Sequence, residues 1–186
     1  MRVFLETDRL LLRCGVESDA GLLHELDGDP EVMRYLSGGR ATAWAVIEGE
    51  VLPRFLGPEA RRWIAVEKGA GDFIGWFALE GSGEEGELGY RLRRPAWGRG
   101  YASEGARALV DKGFAELGLM RIWGQTMAVN TASRRVMEKA GLVYGRTFHL
   151  EWDDPIAGAE HGEVEYALTR AEWLTAAPCR DGGHGE

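Results

Sequence analysis

Cysteine is nearly absent from this 186-residue sequence, which contains only Cys14 and Cys179. The two positions are too far apart for the paired spacing of a zinc site or a disulfide scaffold, so we interpret them as incidental thiols of a reducing cytoplasm. Histidine is also scarce, and its four positions form no metal-binding spacing: His24, His149, His161 and His184. We therefore expect no metal centre and a cytoplasmic location.

Positive charge is in deficit, with 22 Lys and Arg against 30 Asp and Glu and a net charge of -8. This balance opposes non-specific attraction to nucleic acid or to anionic lipid, so we expect neither as a partner. Long apolar runs are missing as well. Residues Met1 to Arg9 include Glu6 and Asp8 where a signal segment would be apolar, and no later stretch has the length of a membrane span.

What remains has the composition of an ordinary globular protein, with 45% hydrophobic and 28% charged residues. A chain of this length is near the size at which one hydrophobic core suffices. We therefore predict one domain over residues 1–177. The Gly-rich segment 178–186 is predicted to be a disordered tail.

Apolar spacing predicts an α/β (α+β) order of elements along the chain. Close spacing between the strands at 63–67, 73–79 and 87–92, with Gly-rich turns between them, favours antiparallel pairing. Further strands are predicted at 9–13, 121–129, 143–150 and 164–168. Helices are predicted at 18–26, 42–56, 102–117 and 131–140, the second interrupted at Pro53, with a short one after Thr169.

A local reversal of charge lies in the middle of the chain. Between residues 91 and 107 only Glu104 opposes five arginines: Arg91, Arg93, Arg94, Arg99 and Arg107. Gly98 and Gly100 lie inside this stretch, immediately before the predicted helix, where small residues leave backbone N–H groups uncovered. A helix start with bare amides is a binding site for anions.

A simpler interpretation is that these glycines only permit a tight turn and that the arginines are solvated. A dinucleotide-binding fingerprint would need Gly or Ala where Ser103 stands, and it would need the strand to run directly into the glycines, whereas Arg93, Arg94 and Pro95 intervene. A phosphate-binding Walker loop is excluded because no Gly-Lys-Ser or Gly-Lys-Thr occurs.

Several spaced motifs together resemble the GNAT superfamily of N-acetyltransferases, and within it the RimJ/RimL-like branch of ribosomal-protein N-terminal acetyltransferases. The residues that carry the resemblance are the stretches 87–104 (ELGYRLRRPAWGRGYASE), 130–133 (NTAS) and 138–142 (EKAGL). The resemblance extends from Thr7-Asp8-Arg9-Leu10 to the segment that ends at Trp173.

The resemblance implies a single GNAT-type domain. Its sheet would be mixed, mostly antiparallel and seven-stranded, splayed between strands 4 and 5 and flanked by about four helices. The pantetheine arm of acetyl-CoA would lie in the gap, next to the backbone near Leu92. The pyrophosphate would be held by the loop and its following amides: Trp97, Gly98, Arg99, Gly100, Tyr101, Ala102 and Ser103.

Trp97 departs from the family pattern, and two further positions, Asn130 and Gly89, carry open alternatives. Trp97 stands where the superfamily usually has Gln or Arg, which leaves the binding to backbone amides. Asn130 would reach the coenzyme arm, or act only as the N-cap of the next helix. Gly89 suits either a β-bulge that frees backbone groups or simple close packing.

The resemblance also implies roles in catalysis. Glu87 would draw the proton from the amine, or be a solvated carboxylate beside Glu84 and Glu85. Ser133 would protonate the departing thiolate, or bond back to the carbonyl four residues earlier. Relatives often have a tyrosine for this purpose where this chain has Met137.

The sequence thus predicts acetyl transfer from acetyl-CoA to a primary amine of a small molecule or a protein N-terminus. Acids such as Glu87, Glu151 and Asp153 would attract the ammonium form of that acceptor. The alternatives are a catalytically idle acyl-CoA-binding domain and a nicotinamide-dependent oxidoreductase. A homodimer is compatible with the sequence.

Overall fold

One eight-stranded sheet organises the protein in the computed structural model, which describes residues 2–176. The strand order is β1-β2-β3-β4-β5-β6-β8-β7. All neighbours are antiparallel except β5 and β6. The strands are β1 Val3–Glu6, β2 Leu10–Arg13, β3 Arg62–Glu67, β4 Phe73–Glu80, β5 Glu85–Leu92, β6 Arg121–Met127, β7 Val143–Phe148 and β8 Glu163–Thr169.

The predicted mixed, mostly antiparallel sheet is confirmed, but its count of seven strands is wrong. The additional strand is β1, which pairs with β2 in an N-terminal hairpin. The strands predicted as the fourth and fifth are therefore β5 and β6. The proposed tail 178–186 lies outside the described residues.

Helices cover both faces of the sheet. Within residues 2–176 they are α1 Ala20–Gly28, α2 Pro30–Ser37, α3 Trp44–Val46, α4 Tyr101–Ala115, α5 Thr131–Lys139 and α6 Arg170–Ala176. The prediction of about four missed α2, which begins with Pro30 behind an Asp29 cap and ends at left-handed Gly38. The helix expected over 42–56 with an interruption at Pro53 is already broken before that residue: α3 passes into a π-helical turn at Ile47–Val51 and a 3-10 turn at Leu52–Phe55.

Two cores form on opposite sides of the sheet. The buried stripe of α4 packs on one side, where Ala106, Leu109 and Val110 are within 1% of complete burial. On the other side Leu23, Leu26 and further residues between α1 and β3 pack against Trp76 and Ala78. The face of the sheet to which a strand residue points therefore determines which of the two cores its side chain joins.

No helix within residues 2–176 is long and apolar enough to cross a membrane.

Candidate active site

The sheet opens between its two parallel strands. Only three residue pairs join β5 to β6, and the last of them is Glu87 with Trp123. Strand β5 continues to Leu92 and β6 to Met127, but the two do not pair beyond that point. The opening therefore exposes backbone N–H and C=O groups of both strands to whatever lies between them.

The predicted glycine loop lies where β5 leads into α4. Gly98 and Gly100 have left-handed φ values of 71° and 84°, a conformation that side chains with a Cβ disfavour. Gly100 is the N-cap of α4, and within the described chain no side chain caps this helix. The N–H groups of Tyr101, Ala102 and Ser103 consequently lack intrahelical acceptors and form a site for an anion.

An arginine from the N-terminal hairpin secures this loop. Arg9 Nη1 donates to the carbonyl of Arg99 at 2.9 Å, and Arg9 Nε donates to Glu104 at 2.7 Å. The Thr7 hydroxyl donates to the same carboxylate at 2.6 Å. Burial works to raise the pKa of Glu104, but the hydrogen bonds from Thr7 and Arg9 outweigh it and hold that pKa below its ordinary value.

The pairing of Arg9 with Glu104 also reduces electrostatic repulsion between Glu104 and an anion at the start of α4. Glu104 lies in the first turn of α4, where its negative charge would repel a bound anion. Its pairing with Arg9 neutralises that charge and fixes the loop at the same time. The Arg9 guanidinium also lies 4.5 Å from the centroid of the buried Tyr101 ring.

The arginine cluster serves the structure more than the sequence suggests. Arg91 pairs with Asp27 of α1, and Arg93 pairs with Glu25 of the same helix. Arg107 donates to the backbone carbonyl of Lys139 at the end of α5. Of the five arginines, Arg99 is the one at the loop itself, stacked 4.9 Å from the centroid of the Tyr101 ring.

Trp97 has a local structural role. Its side chain is 48% exposed, and its indole Nε1 donates to the carbonyl of Leu92 at 2.8 Å. The indole thus closes the turn that follows β5. Gly89 does not form the bulge considered from the sequence, because β4 and β5 pair in regular register from Gly75 with Leu92 to Glu80 with Glu87. Close packing does not require glycine there either, because a Cβ would lie at an ordinary contact distance, 3.5 Å, from the Trp76 ring.

Two residues of the Asn-x-x-Ser motif lie at the start of α5. Asn130 is the N-cap, and its Oδ1 accepts a hydrogen bond from the Ser133 N–H at 3.2 Å. The Ser133 hydroxyl lies 2.9 Å from the Tyr90 hydroxyl, which also lies 2.9 Å from the Ser133 carbonyl oxygen. A pair of hydroxyl groups therefore links β5 to α5.

Tyr90 was not identified from the sequence. It follows Glu87 by three residues on β5 and points to the opposite face, where it packs against Phe77. Burial raises the pKa of the Tyr90 phenol, so the group stays protonated at neutral pH. Met137 is 1% exposed in the core, and its thioether carries no proton to donate, so this residue cannot act as the acid.

Glu87 lies on the other face, at the point where the sheet opens. Within the described chain its carboxylate has no hydrogen bond or ion pair, whereas neighbouring Glu80 accepts a hydrogen bond from Arg62 at 2.6 Å. Burial raises the pKa of Glu87, and the adjacent negative charge of Glu80 raises it further. Glu87 is partly exposed, so it combines contact with solvent and partial burial.

No group of three or more His, Cys, Asp or Glu side chains in the described part of the chain has the geometry of a metal site.

Comparison with known proteins identifies the family. A family model described as an acetyltransferase (GNAT) domain matches residues 9–143. The chain is 37% identical over 169 residues to FsC-acetyl coenzyme A-N(2)-transacetylase from Aspergillus fumigatus, with 81% of this chain and 69% of that protein covered. The chain therefore belongs to the GNAT acetyltransferase family. It is an N-acetyltransferase, and its acetyl donor is acetyl-CoA.

Solved structures share the fold. An acetyltransferase of the GNAT family from Bacillus anthracis superposes with a TM-score of 0.76 at 27% identity, over 91% of this chain and 99% of that one. The spermidine N-acetyltransferase of Vibrio cholerae, determined with CoA and spermine, also superposes at 0.76, with 19% identity over 90% of this chain and 99% of that one. At that identity the likeness extends to the fold alone.

Proposed function

We propose that this protein transfers the acetyl group of acetyl-CoA to a primary amine of a small molecule or of a protein N-terminus, as a member of the RimJ/RimL-like branch. The observation that carries the proposal is the opening of the sheet beyond Glu87 and Trp123 with an uncapped helix start at its end. The Aspergillus fumigatus relative, whose name describes acetyl transfer to an N2 nitrogen, supports an amine acceptor.

The residues around the opening fit acetyl-CoA. The amides of Tyr101, Ala102 and Ser103 would bind the pyrophosphate, and the space beside Gly98, where a Cβ would meet nothing within 4 Å, leaves room for it. The edge of β5 that no longer pairs with β6 beyond Glu87, up to Leu92, and the side of Asn130 would line the pantetheine arm. When bound, acetyl-CoA supplies a thioester that an amine can attack.

Glu87 is our candidate for the base that accepts the proton of the amine. A base must be free to take up a proton, and Glu87 has no competing hydrogen bond or ion pair within residues 2–176. Its raised pKa lies closer to neutral pH than that of an ordinary glutamate, which makes the carboxylate a better proton acceptor at physiological pH.

Ser133 is our candidate for the acid at the leaving thiolate, positioned by Tyr90. The Tyr90 phenol has one proton and two acceptors at 2.9 Å, the carbonyl oxygen and the hydroxyl oxygen of Ser133. When Tyr90 donates to the hydroxyl oxygen, the proton of Ser133 is free to point elsewhere, including to a sulfur in the opening. This pair would replace the tyrosine that is absent at Met137.

A catalytically idle acyl-CoA-binding domain is the alternative, favoured by the buried thioether of Met137 where relatives often have an acid. Turnover separates the two functions. Purified protein is incubated with acetyl-CoA and a panel of primary amines, and the release of free thiol is followed. Acetyl transfer to an amine supports the proposal, whereas binding of CoA without transfer to any amine contradicts it.

Glu87→Gln tests the assignment of the base. We expect turnover to fall about 10²-fold at neutral pH, the usual scale for loss of a general base, with CoA affinity unchanged. Glu85→Gln on the same strand is the control, since Glu85 pairs with Arg121 outside the opening. Equal activity of the Glu87 variant and the control would exclude Glu87 as the base.

A homodimer and a cytoplasmic location complete the proposal. Val143 and Tyr144 on the edge strand β7 are 64% and 50% exposed, which supports a contact between copies at this edge. Light scattering on purified protein measures the mass in solution, and a monomer at micromolar concentration would contradict the dimer.

A further inference from the structure

A second carboxylate, Glu163 at the start of β8, is buried without a partner. It is 6% exposed, and within residues 2–176 it forms no hydrogen bond or ion pair. Glu165, two residues further along the same strand, provides the contrast: it accepts hydrogen bonds from Arg121 and Arg146 at 2.7 and 2.9 Å. Burial raises the pKa of Glu163, whereas the hydrogen bonds from Arg146 lower the pKa of Glu165.

Strand alternation places Glu163 on the same face of the sheet as Glu87. Val164, Tyr166 and Leu168 pack in the core beneath α4 and α5, so Glu163 points to the opposite side. On β5, Leu88 belongs to that same core and Glu87 points away from it. The two glutamates with raised pKa values therefore share the face on which α1 and α2 pack.

The loop between β7 and β8 begins after Phe148, the cross-strand neighbour of Glu163, and ends at Glu163 itself. This loop reaches across to the end of α2, where Ile156 contacts Gly38 and Asp154 pairs with Arg40 at 2.7 Å. Its Gly158 lies against Met127, the cross-strand neighbour of Glu163. The loop that leads into Glu163 is thus held against the end of α2 and against the end of β6.

The face of the sheet beside this loop is exposed to solvent. On the same face of β6, Trp123 next to Glu87 is partly exposed, and Gln125 between Trp123 and Met127 is exposed. The face of β6 between the cross-strand neighbours of Glu87 and Glu163 is therefore open to solvent at Trp123 and Gln125. The β6 neighbours of the two glutamates, Trp123 and Met127, are four residues or about 13 Å apart along the strand. Because β5 and β8 flank β6 on opposite sides, the Cα atoms of Glu87 and Glu163 are about 16 Å apart.

We propose that Glu163 is a binding site for a positively charged group of the acceptor, remote from the amine that is acetylated. The Glu163 carboxylate has lost most of its water to burial and has no protein partner within residues 2–176, yet its oxygens are not fully enclosed, so a cation can reach them and offset the cost of that desolvation. Its distance from Glu87 means that the reacting amine and the group held by Glu163 are different parts of one acceptor molecule. The inference rests on the proposed acetyl transfer at Glu87.

The test compares two acceptors that differ in one charge: terminal diaminooctane and octylamine. The wild type should acetylate the diamine with a kcat/KM at least about tenfold higher, the scale of one charge-assisted contact. Glu163→Gln should remove this preference through the KM for the diamine, leaving the KM for acetyl-CoA unchanged. Glu163→Asp should retain part of it.

Glu165→Gln is the matched control on the same strand and face. It removes two ion pairs and should lower the melting temperature, yet it should keep the preference for the diamine. Glu163→Gln should melt no lower than the wild type, since no partner is lost. A preference that persists in Glu163→Gln, that Glu165→Gln removes equally, or that is absent from an active wild type overturns the inference.

Calorimetric titration of diaminooctane into CoA-saturated protein separates this inference from acetyl transfer itself. Binding that weakens at least about tenfold in Glu163→Gln supports the site even in a protein that acetylates no amine, in which case the proposed function fails alone. Active protein whose diamine affinity is unchanged by Glu163→Gln leaves the proposed function standing and refutes the role of Glu163.

Discussion

Replacement of Gly100 by valine tests the anion site at the start of α4. Gly100 has a φ of 84°, and a Cβ at this position would lie 3.2 Å from Arg9 Nη2. Valine therefore disfavours the left-handed conformation and pushes against the arginine that fixes the loop. Both effects turn the amides of the first helical turn away from a common point.

The expected magnitudes are distinct for folding and for binding. A residue with a Cβ in the left-handed region costs about 1–3 kcal/mol of unfolding free energy. Loss of one hydrogen bond to a charged group costs about 1.5–3 kcal/mol of binding free energy, and each 1.4 kcal/mol is tenfold in Kd. Gly100→Val should thus weaken CoA binding by about 10- to 100-fold or more while the protein remains folded.

Gly118→Val is the matched control. Gly118 has a similar φ of 73°, and a Cβ there would meet nothing within 4 Å. It lies beyond the opposite end of α4, a helix of 15 residues and therefore about 22 Å long. Chemical denaturation should show comparable losses of stability in the two variants, whereas calorimetric titration with CoA should show weaker binding only in Gly100→Val. Equal CoA affinities in the two variants would refute the anion site.

Three other changes have defined outcomes. Tyr90→Phe should lower kcat at saturating substrate in the same direction as Ser133→Ala, with a smaller effect and no change in the KM for acetyl-CoA; steady-state kinetics that show full activity in both would exclude this proton donor. Arg9→Gln should raise the KM for acetyl-CoA, because the negative charge of Glu104 at the helix start then lacks the positive charge that balances it. The simultaneous Glu104→Gln change should restore part of the affinity, and no restoration would refute the electrostatic argument. Because burial raises the pKa of Glu163, the folded protein binds a proton at this residue more tightly than the unfolded chain does and loses stability as pH rises through that pKa. Glu163→Gln should therefore melt at a higher temperature than the wild type at neutral pH. Thermal scans should show this difference vanish below the ordinary glutamate pKa of 4.5.

The N-terminal hairpin and the glycine loop act as one unit in this protein. Thr7 and Arg9 are the residues that join them, through Glu104 and the carbonyl of Arg99. Lys68, at the end of β3, adds a hydrogen bond from its ammonium to the carbonyl of Thr7 at 3.0 Å. Stability at the edge of the sheet is therefore coupled to the geometry of the candidate coenzyme site.

Local features of the sequence determined much of the fold. The apolar stripe of α4 has a single periodicity and packs as the sequence predicts, because the spacing of residues along a helix fixes the face they share. Gly98 and Gly100 adopt the left-handed conformation for which glycine is suited. The closely spaced strands from β3 to β5 form antiparallel pairs, since short turns leave no other connection.

Some boundaries depended on packing that periodicity does not report. Residues 42–56 have helical spacing, yet the chain forms three short segments that fit Ile47, Leu52 and Phe55 into the core beside β3 and β4. Pro53 prevents a continuous helix there because it lacks an N–H. Strand β1 is as long as β2, but its residues are exposed or half-buried at the edge of the sheet, so it lacks the alternating burial that marks β2.

The roles of individual side chains at the site were decided by the tertiary structure. The pairs Arg9 with Glu104 and Tyr90 with Ser133 join residues 95 and 43 positions apart, and no local pattern encodes such distances. Glu163 is buried without an ion-pair partner within residues 2–176 because of the residues that the fold brings around it. Sequence determines which residues carry charge, hydroxyl groups or conformational freedom, but whether each one is paired, buried or free depends on neighbours that only the folded chain brings together.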